Sequence, residues 1–175
     1  KYQWYKNGVI RPHRTWPNIA AWRTSPGDEW RCVVTPTDGG DDGPTGEATV
    51  TINSPPTAPT VVITPGSPRT WDALHCEASG STDPDGDPVT YKYQWYKNGI
   101  LRPNRRWPSV APWRTSLGDE WYCVVTPTDG TDDGPAVESD HVVIVANQPP
   151  TAPTVVITPE YPTTDDALHC EASDS

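Results

Sequence analysis

The amino-acid sequence predicts an all-β protein built from tandem β-sandwich repeats of about 91–94 residues. Long segments recur almost unchanged along the chain, which is the signature of a repeat architecture. Short runs of β-branched and aromatic residues alternate with turn clusters roughly every 10 residues, as in two-layer sandwiches. No segment shows the 3.6-residue period of an amphipathic helix. Each repeat is therefore expected to fold as a small sandwich.

The internal repeat sets the domain organisation. KYQWYKNGVIRP at 1–12 recurs as KYQWYKNGILRP after 91 residues, and PPTAPTVVITP at 55–65 recurs unchanged after 94 residues. A unit of this length is one small domain. We predict three parts: the C-terminal part of one repeat, a complete repeat, and the N-terminal part of a further repeat that a neighbouring chain or further sequence completes, at residues 1–52, 53–146 and 147–175.

Composition narrows the class of protein. The net charge of −10 argues against nucleic acid and anionic membranes as partners. The 22 Pro and 13 Gly would fit a disordered chain, but the nine Trp and seven Tyr do not. There is no initiator Met, no signal peptide and no apolar run long enough to cross a bilayer. We therefore expect an internal piece of a longer repetitive protein, with no membrane insertion in this segment.

The complete repeat contains five runs that read as strands. A two-residue turn at Asn98-Gly99 is expected to be of type I′, because that turn needs positive φ at both positions. The Pro-rich stretch 102–118 is expected to hold short edge strands. The predicted strands are TVVITP at 60–65, DALHCEA at 72–78, TYKYQWYK at 90–97, EWYCVVTP at 120–127 and HVVIVA at 141–146.

Comparison of the two copies assigns the buried face. Tyr122 corresponds to Arg31 in the other copy, and such a change is tolerable only where the side chain meets water. The alternate residue Cys123 therefore points inward, because side chains alternate across a strand. The same period predicts inward positions for Leu74, Cys76, Ala78, Tyr91 and Tyr93. The core tryptophans predicted for the two copies are Trp95, Trp121, Trp4 and Trp30.

The four cysteines indicate disulfides. Cys76 and Cys123 lie on inward faces of one repeat, so we predict that they pair, as in oxidising, extracellular surroundings. Cys32 belongs to a back half and Cys170 to a front half, so each is expected to pair between chains or with further sequence. Zinc is the weaker alternative, because the histidine beside Cys76 faces the opposite side of its strand and no second Cys has ligand spacing.

Two cysteines and the tryptophan between them resemble the pattern of a known family. Cys76, Trp95 in YQWYK and Cys123 in GDEWYC together resemble the Cys–Trp–Cys framework of immunoglobulin-like domains. STDPDGDPVTYKYQW is similar to the corresponding loop and strand of PKD-type domains in bacterial and archaeal surface proteins. The resemblance covers nearly the whole chain and implies tandem immunoglobulin-like sandwiches in a stalk, adhesin or filament rather than an enzyme. Trp30 and Trp121 depart from it, since immunoglobulin domains carry Tyr there.

Two acidic loops follow the two cysteine strands, and in a sandwich of this order both lie where the preceding linker enters. Carboxylate oxygens suit Ca²⁺, so one interpretation is a calcium site at the junction between repeats. The other is that these residues are turn formers that bond their own backbone, with no cofactor required. Nothing indicates catalysis, because nucleophile–base and phosphate-binding motifs are absent. The carboxylates are those of Asp83, Asp85, Asp87, Asp129, Asp132 and Asp133.

A Trp/Arg-rich segment occurs in each copy, at 11–23 and 102–114. One interpretation is that its tryptophans fill the edge of the sandwich; the other is a face that binds glycans or protein, since Trp and Arg dominate binding hot spots. The residues of this face are Trp107, Trp113, Arg114, Trp16, Trp22 and Arg23. The sequence thus predicts a structural protein of an extracellular filament or cell-surface stalk, with copies of itself as partners, or alternatively an adhesin or carbohydrate-binding module.

Overall fold

The computed structural model describes residues 1–173. The chain forms two compact units, one of residues 1–145 and one that begins at Ala146. Regular structure in the described residues is nearly all antiparallel β-sheet. The strands are β1 (Tyr2–Lys6), β2 (Val9–Arg11), β3 (Glu29–Val34), β4 (Gly46–Thr51), β5 (Thr60–Thr64), β6 (Leu74–Ser79), β7 (Thr90–Lys97), β8 (Ile100–Arg102), β9 (Ser109–Val110), β10 (Glu120–Thr128), β11 (Val137–Glu138), β12 (Val142–Val143), β13 (Thr154–Thr158) and β14 (His169–Ser173).

The complete repeat is a two-sheet sandwich, which confirms the predicted fold class. One sheet has the order β11-β10-β7-β8, with β12 also paired to β10, and the other has the order β5-β6-β9. The inward faces of both sheets meet in a single core around Trp95, with Tyr91 and Tyr93 packed partly buried against it. The period of two along β6, β7 and β10 therefore places the side chains as the sequence predicts.

The two core tryptophans pack edge to face. The ring centroids of Trp95 and Trp121 lie 6.2 Å apart with an interplanar angle of 76°. Trp95 also donates from Nε1 to the carbonyl oxygen of Trp107, at 2.9 Å. This bond satisfies the polar atom of a fully buried ring and ties the Trp/Arg-rich segment to the core.

Residues 1–51 repeat one of these sheets. Strands β1 to β4 form a sheet of order β2-β1-β3-β4. Its register matches the complete repeat, since Trp4 pairs with Cys32 as Trp95 pairs with Cys123. The centroids of Trp4 and Trp30 are likewise 6.2 Å apart. Residues 1–52, the half-repeat, therefore fold as the β7/β8/β10 side of a sandwich.

The hairpin between β7 and β8 has the predicted turn. Asn98 and Gly99 have φ of 51° and 73°, the positive values that a type I′ turn requires. The Asn98 side chain adds a contact that the turn rule does not include, because its Oδ1 accepts a hydrogen bond from the backbone N–H of Glu120, at 2.8 Å. The side chain thus fastens the turn to β10.

The last predicted strand is corrected by the structure. Of the stretch 141–146, only Val142 and Val143 pair with β10. Ser139 lies buried before them, where its Oγ accepts a hydrogen bond from the backbone N–H of Cys123. Val145 instead forms a parallel bridge with Arg69. The segment thus leaves β10 after Val143 and bridges a residue outside the named strands, which alternation alone does not show.

The Pro-rich stretch 102–118 also differs from the prediction in part. It contains the short strand β9, which pairs with β6, as expected for an edge. A 3-10 helix follows at Pro112–Arg114, and the half-repeat has its equivalent at Ala21–Arg23. Proline at the first helical position suits a helix start, because its missing N–H is not needed there.

The second unit contains a hairpin of two strands. β13 pairs with β14 in the register of β5 with β6, so that Ile157 faces Cys170 as Ile63 faces Cys76. Its apolar residues are exposed. The unit therefore has the front strands of a sandwich without the sheet that covers them in the complete repeat.

Candidate functional site

A disulfide joins the two sheets of the complete repeat. It links Cys76 on β6 to Cys123 on β10 across a Cα–Cα distance of 6.5 Å and closes a loop with a sequence separation of 47. Cys32 and Cys170 are free thiols. Cys32 is half-buried in its sheet, and burial raises the pKa of its thiol. Cys170 lies exposed on β14.

The linker between the half-repeat and the complete repeat binds carboxylates. Asn53 donates from Nδ2 to Asp129 Oδ2 at 2.9 Å and to Asp132 Oδ2 at 2.8 Å. The backbone N–H of Ser54 donates to Asp85 Oδ2 at 2.6 Å. Both acidic loops of the complete repeat thus converge on the linker that enters them, and the Asn53 hydrogen bond lowers the pKa of Asp129.

The same linker packs closely against the second acidic loop. A Cβ at Gly134 would overlap the carbonyl oxygen of Pro56 and lie 2.9 Å from Pro127 Cγ. Only glycine leaves room for this approach. Gly43, the equivalent residue of the half-repeat, would meet Pro36 Cγ at 3.0 Å but no linker atom.

The other three predicted carboxylates are used within the repeat or point elsewhere. Asp83 Oδ1 accepts the backbone N–H groups of Asp85 and Asp87, which closes its own loop. Asp133 accepts Lys92 Nζ at 2.6 Å, and this hydrogen bond lowers the pKa of Asp133. The turn-former interpretation describes the contacts of Asp83, whereas Asp133 forms an ion pair with a neighbouring strand.

The predicted calcium site is not assembled as a ligand cluster in the described residues. In residues 1–173 no group of three or more His, Cys, Asp or Glu side chains is arranged to hold a metal ion. The converging carboxylates of Asp85, Asp129 and Asp132 accept hydrogen bonds from nitrogen donors instead. The calcium site therefore stays a prediction.

The Trp/Arg-rich segments expose their tryptophans. Trp16, Trp22, Trp107 and Trp113 are between 76% and 80% exposed, so they do not fill the edge of the sandwich. The guanidinium carbon of Arg23 lies 3.9 Å from the centroid of the Trp22 ring. Of the other residues assigned to this face, Arg114 is also exposed.

A cleft adjoins this segment in the half-repeat. Its volume is about 480 Å³, and cationic and aromatic side chains line it, namely Lys6, Arg11, His13, Arg14, Trp22, Arg23 and Trp30. A wall of this composition attracts anionic groups electrostatically and offers ring faces for stacking.

An aromatic stack on the outer face of β7 and β10 was not predicted from the sequence. Tyr96 and Tyr122 stack with centroids 4.7 Å apart, and His141 stacks on Tyr122 at 4.2 Å. His141 contacts Glu120 and Glu138, each at 3.2 Å, and hydrogen bonds to these carboxylates raise the pKa of its ring. The sequence contained one signal of this stack, namely that Tyr122 in one copy is replaced by Arg31 in the other.

The half-repeat builds a corresponding stack with other residues. The guanidinium of Arg31 lies over the Tyr5 ring, 4.2 Å from its centroid, and binds Glu47 at 3.0 Å. Arg31 thus takes the place of the tyrosine, as the outward orientation predicted for this position allows.

A salt bridge that the sequence analysis missed secures the other end of β7. Lys97 Nζ lies 2.6 Å from Asp119 Oδ2, and both side chains are largely buried. Burial raises the pKa of Asp119, but hydrogen bonds from Lys97 and from the N–H of Ser116 outweigh it and leave the pKa lowered. Lys6 and Asp28 form the same 2.6 Å bridge in the half-repeat.

The chain is similar in structure, but not in sequence family, to known proteins. No family model matches the chain, and no curated protein matches it. Among solved structures, similar chains include a crystal structure of consecutive titin domains, at 10% identity and a TM-score of 0.46, with 83% of this chain and 54% of that chain covered. The FN1–FN3 domains of chicken CNTN1 are similar at 17% identity and a TM-score of 0.41, with 75% and 49% covered. The chain spans about half the length of these structures.

No helix in residues 1–173 is long and apolar enough to span a bilayer.

Proposed function

We propose that this protein is a structural component of an extracellular filament or cell-surface stalk, built from tandem immunoglobulin-like domains with a disulfide in each sandwich. The observation that carries the proposal is the junction at Asn53–Pro56. There, three hydrogen bonds and one close backbone approach join a linker to both acidic loops of the next domain. A linker held in this way limits bending between repeats, which a load-bearing stalk requires.

Two further features support this function. The disulfide between Cys76 and Cys123 suits an oxidising compartment outside the cytosol. The features that recur in both copies are structural contacts. The Trp pair, the Lys–Asp bridge and the hairpin are all repeated, at matching distances. The resemblance to domains of prokaryotic surface proteins agrees with such a role.

Electron microscopy of the native material tests the proposal. We expect regular fibres or stalks with an axial repeat equal to one domain or a multiple of it. Globular particles without axial order in native material would contradict the proposal. Small-angle scattering of a chain with Asn53→Ala adds a solution measurement, since loss of the two Asn53 hydrogen bonds should broaden the distribution of interdomain distances relative to the unchanged protein.

A glycan-binding role is the second candidate, and the exposed tryptophans favour it. These tryptophans are 76–80% exposed, and flat indole rings stack on sugar faces. A glycan array should show a saturable ligand whose binding is lost in Trp113→Ala. Trp71→Ala is the matched control, because Trp71 is also exposed but lies outside the Trp/Arg-rich segments. An array without a saturable ligand would remove this candidate.

A further inference from the structure

An arginine-lined cleft lies in the complete repeat, beside the short strand β8. Strand β8 pairs with β7 only over Trp95–Lys97, so residues 91–94 of β7 have β10 on one side and no strand of residues 1–173 on the other. Arg105 and Arg106, which follow β8, line the cleft together with this free edge. Its volume of about 410 Å³ is within the usual range of ligand sites.

The charge that lines this cleft is positive. Arg102, Arg105 and Arg106 contribute three guanidinium groups, and no Asp or Glu of the described chain lines it. The protein has 23 acidic side chains, yet none of those in residues 1–173 forms an ion pair with these arginines. Lys92 also lines the cleft, but it is already paired with Asp133 at 2.6 Å. Three cations are therefore available to an anionic ligand on a protein whose net charge is −10.

Two of the three arginines are partly withdrawn from water. The Nε atom of Arg102 is buried and has no hydrogen-bond partner within the described residues. The pKa of Arg105 is lowered, first by burial and then by the nearby charge of Arg114. A bound anion would offset both effects, because it carries the opposite charge and accepts hydrogen bonds from guanidinium N–H groups.

The segment that carries the arginines is held at both of its ends. The backbone N–H of Arg105 donates to the carbonyl oxygen of Arg102 at 2.9 Å. The carbonyl oxygen of Trp107 accepts the hydrogen bond from Nε1 of the core residue Trp95, also at 2.9 Å. The backbone is therefore positioned before a ligand arrives, which lowers the entropy cost of binding.

A second cleft of about 410 Å³ adjoins the first, since Pro103 and Arg106 line both. Trp107 lines this second cleft and is 78% exposed. A flat indole face next to guanidinium groups matches a ligand that carries both a carboxylate and a sugar ring. The carboxylate accepts paired hydrogen bonds from a guanidinium, and the apolar face of a sugar packs on an indole.

We propose that this arginine cleft is a binding site for acidic sugars, in which Arg105 and Arg106 bind the sugar carboxylate and the ring of Trp107 packs against a neighbouring sugar. The inference goes beyond the proposed structural function. It differs from the glycan-binding candidate in naming the ligand class and in not using Trp113, which lines neither cleft.

Part of the arginine set recurs in the half-repeat. Arg11 and Arg14 line a cleft of about 200 Å³ there, at the positions of Arg102 and Arg105. Thr15 holds the position of Arg106. We therefore expect the tighter binding in the complete repeat, where the third guanidinium is present. The other copy also supplies a substitution that the fold already accommodates, namely Arg106→Thr.

Calorimetric titration with trigalacturonic acid measures the binding, and the methyl ester of the same trimer is the neutral control. The acid should bind about 10-fold or more tightly than the ester, because esterification removes the charge that the guanidinium groups bind. The affinity for the acid should also fall as the salt concentration rises. Equal binding of acid and ester would overturn the proposal.

Three single variants locate the site. Arg105→Gln and Arg106→Thr each remove one guanidinium, and each should weaken the tighter binding about 10-fold or more. Arg31→Gln removes the same charge from the outer face of the half-repeat, outside the cleft, and should bind like the unchanged chain. The same loss in all three variants, or a loss in none, would contradict the site.

A peptide of six glutamates tests the other class of partner, since an extended chain could pair with the free edge of β7 at 91–94. Tighter binding of this peptide than of the acid trimer would overturn the proposal. Imaging of native material separates the inference from the structural function. Regular fibres without binding of the acid would remove the inference alone, and binding of the acid without fibres would do the reverse. A neutral glycan whose binding is lost in Trp113→Ala, with no binding of the acid, would likewise remove only the inference.

Discussion

The disulfide between Cys76 and Cys123 should supply a large share of the stability of the complete repeat. Cys76→Ala combined with Cys123→Ala removes it and leaves two small apolar side chains in the core. In the chain-entropy model, a loop with a separation of 47 contributes about 4 kcal/mol to the free energy of unfolding. A domain of this size is typically stable by about 5–14 kcal/mol, so the variant should be marginal.

The measurement is urea unfolding followed by tryptophan fluorescence. Both proteins carry Cys32→Ala and Cys170→Ala, so that cross-links between chains do not contribute. The free energy of unfolding should fall by about 4 kcal/mol, and in thermal unfolding of the same pair the midpoint temperature should fall by about 16–32 °C, at roughly 4–8 °C per kcal/mol. A difference in unfolding free energy below about 1 kcal/mol would refute the reasoning, because it lies well under the range measured for native disulfides. Free thiols at both positions in the native protein would refute it as well.

Other predictions follow from the junction and the outer face. Gly134→Ala should destabilise the complete repeat by about 1–3 kcal/mol, because its Cβ overlaps the Pro56 carbonyl. Gly43→Ala shares the proline contact but not this overlap and should have the smaller effect in the same urea titration. The raised pKa of His141 means that its stabilising contribution is complete below pH 6.5 and is lost as the pH rises through the higher folded value. The free energy of unfolding should therefore fall as the pH rises above about 6.5, and His141→Ala should remove that slope. Asp119→Asn should lower stability by about 3 kcal/mol, because it leaves a buried lysine without its partner, and a loss below about 1 kcal/mol would contradict this.

Local chemistry made much of the fold predictable. The Asn98-Gly99 turn follows from its own two residues, since few others tolerate positive φ in sequence. The inward face of β10 followed from the exchange of Tyr122 for Arg31, because alternation then fixes every other position. Both predictions depend on near neighbours in the chain, and the structure reproduces them.

Features that depend on distant partners were less accessible. The stretch 141–146 alternates like a strand, yet Val145 forms an isolated bridge with Arg69, which no local pattern reveals. The acidic loops were expected near the linker, and the structure places Asp85, Asp129 and Asp132 there. Their ligand could not be derived, because a carboxylate cluster looks the same whether a cation or an amide donor occupies it.

Repetition of the linker sequence reflects how each of its residues bonds. Asn53 donates through its side chain, and asparagine recurs at the equivalent position 147. Ser54 donates through its backbone N–H, and its equivalent is Gln148. A side-chain contact restricts residue identity, whereas a backbone contact only requires that the residue is not proline. The joint can therefore be rebuilt with variable sequence, provided that asparagine stands two positions before the double proline and glycine stands where the linker crosses the second acidic loop.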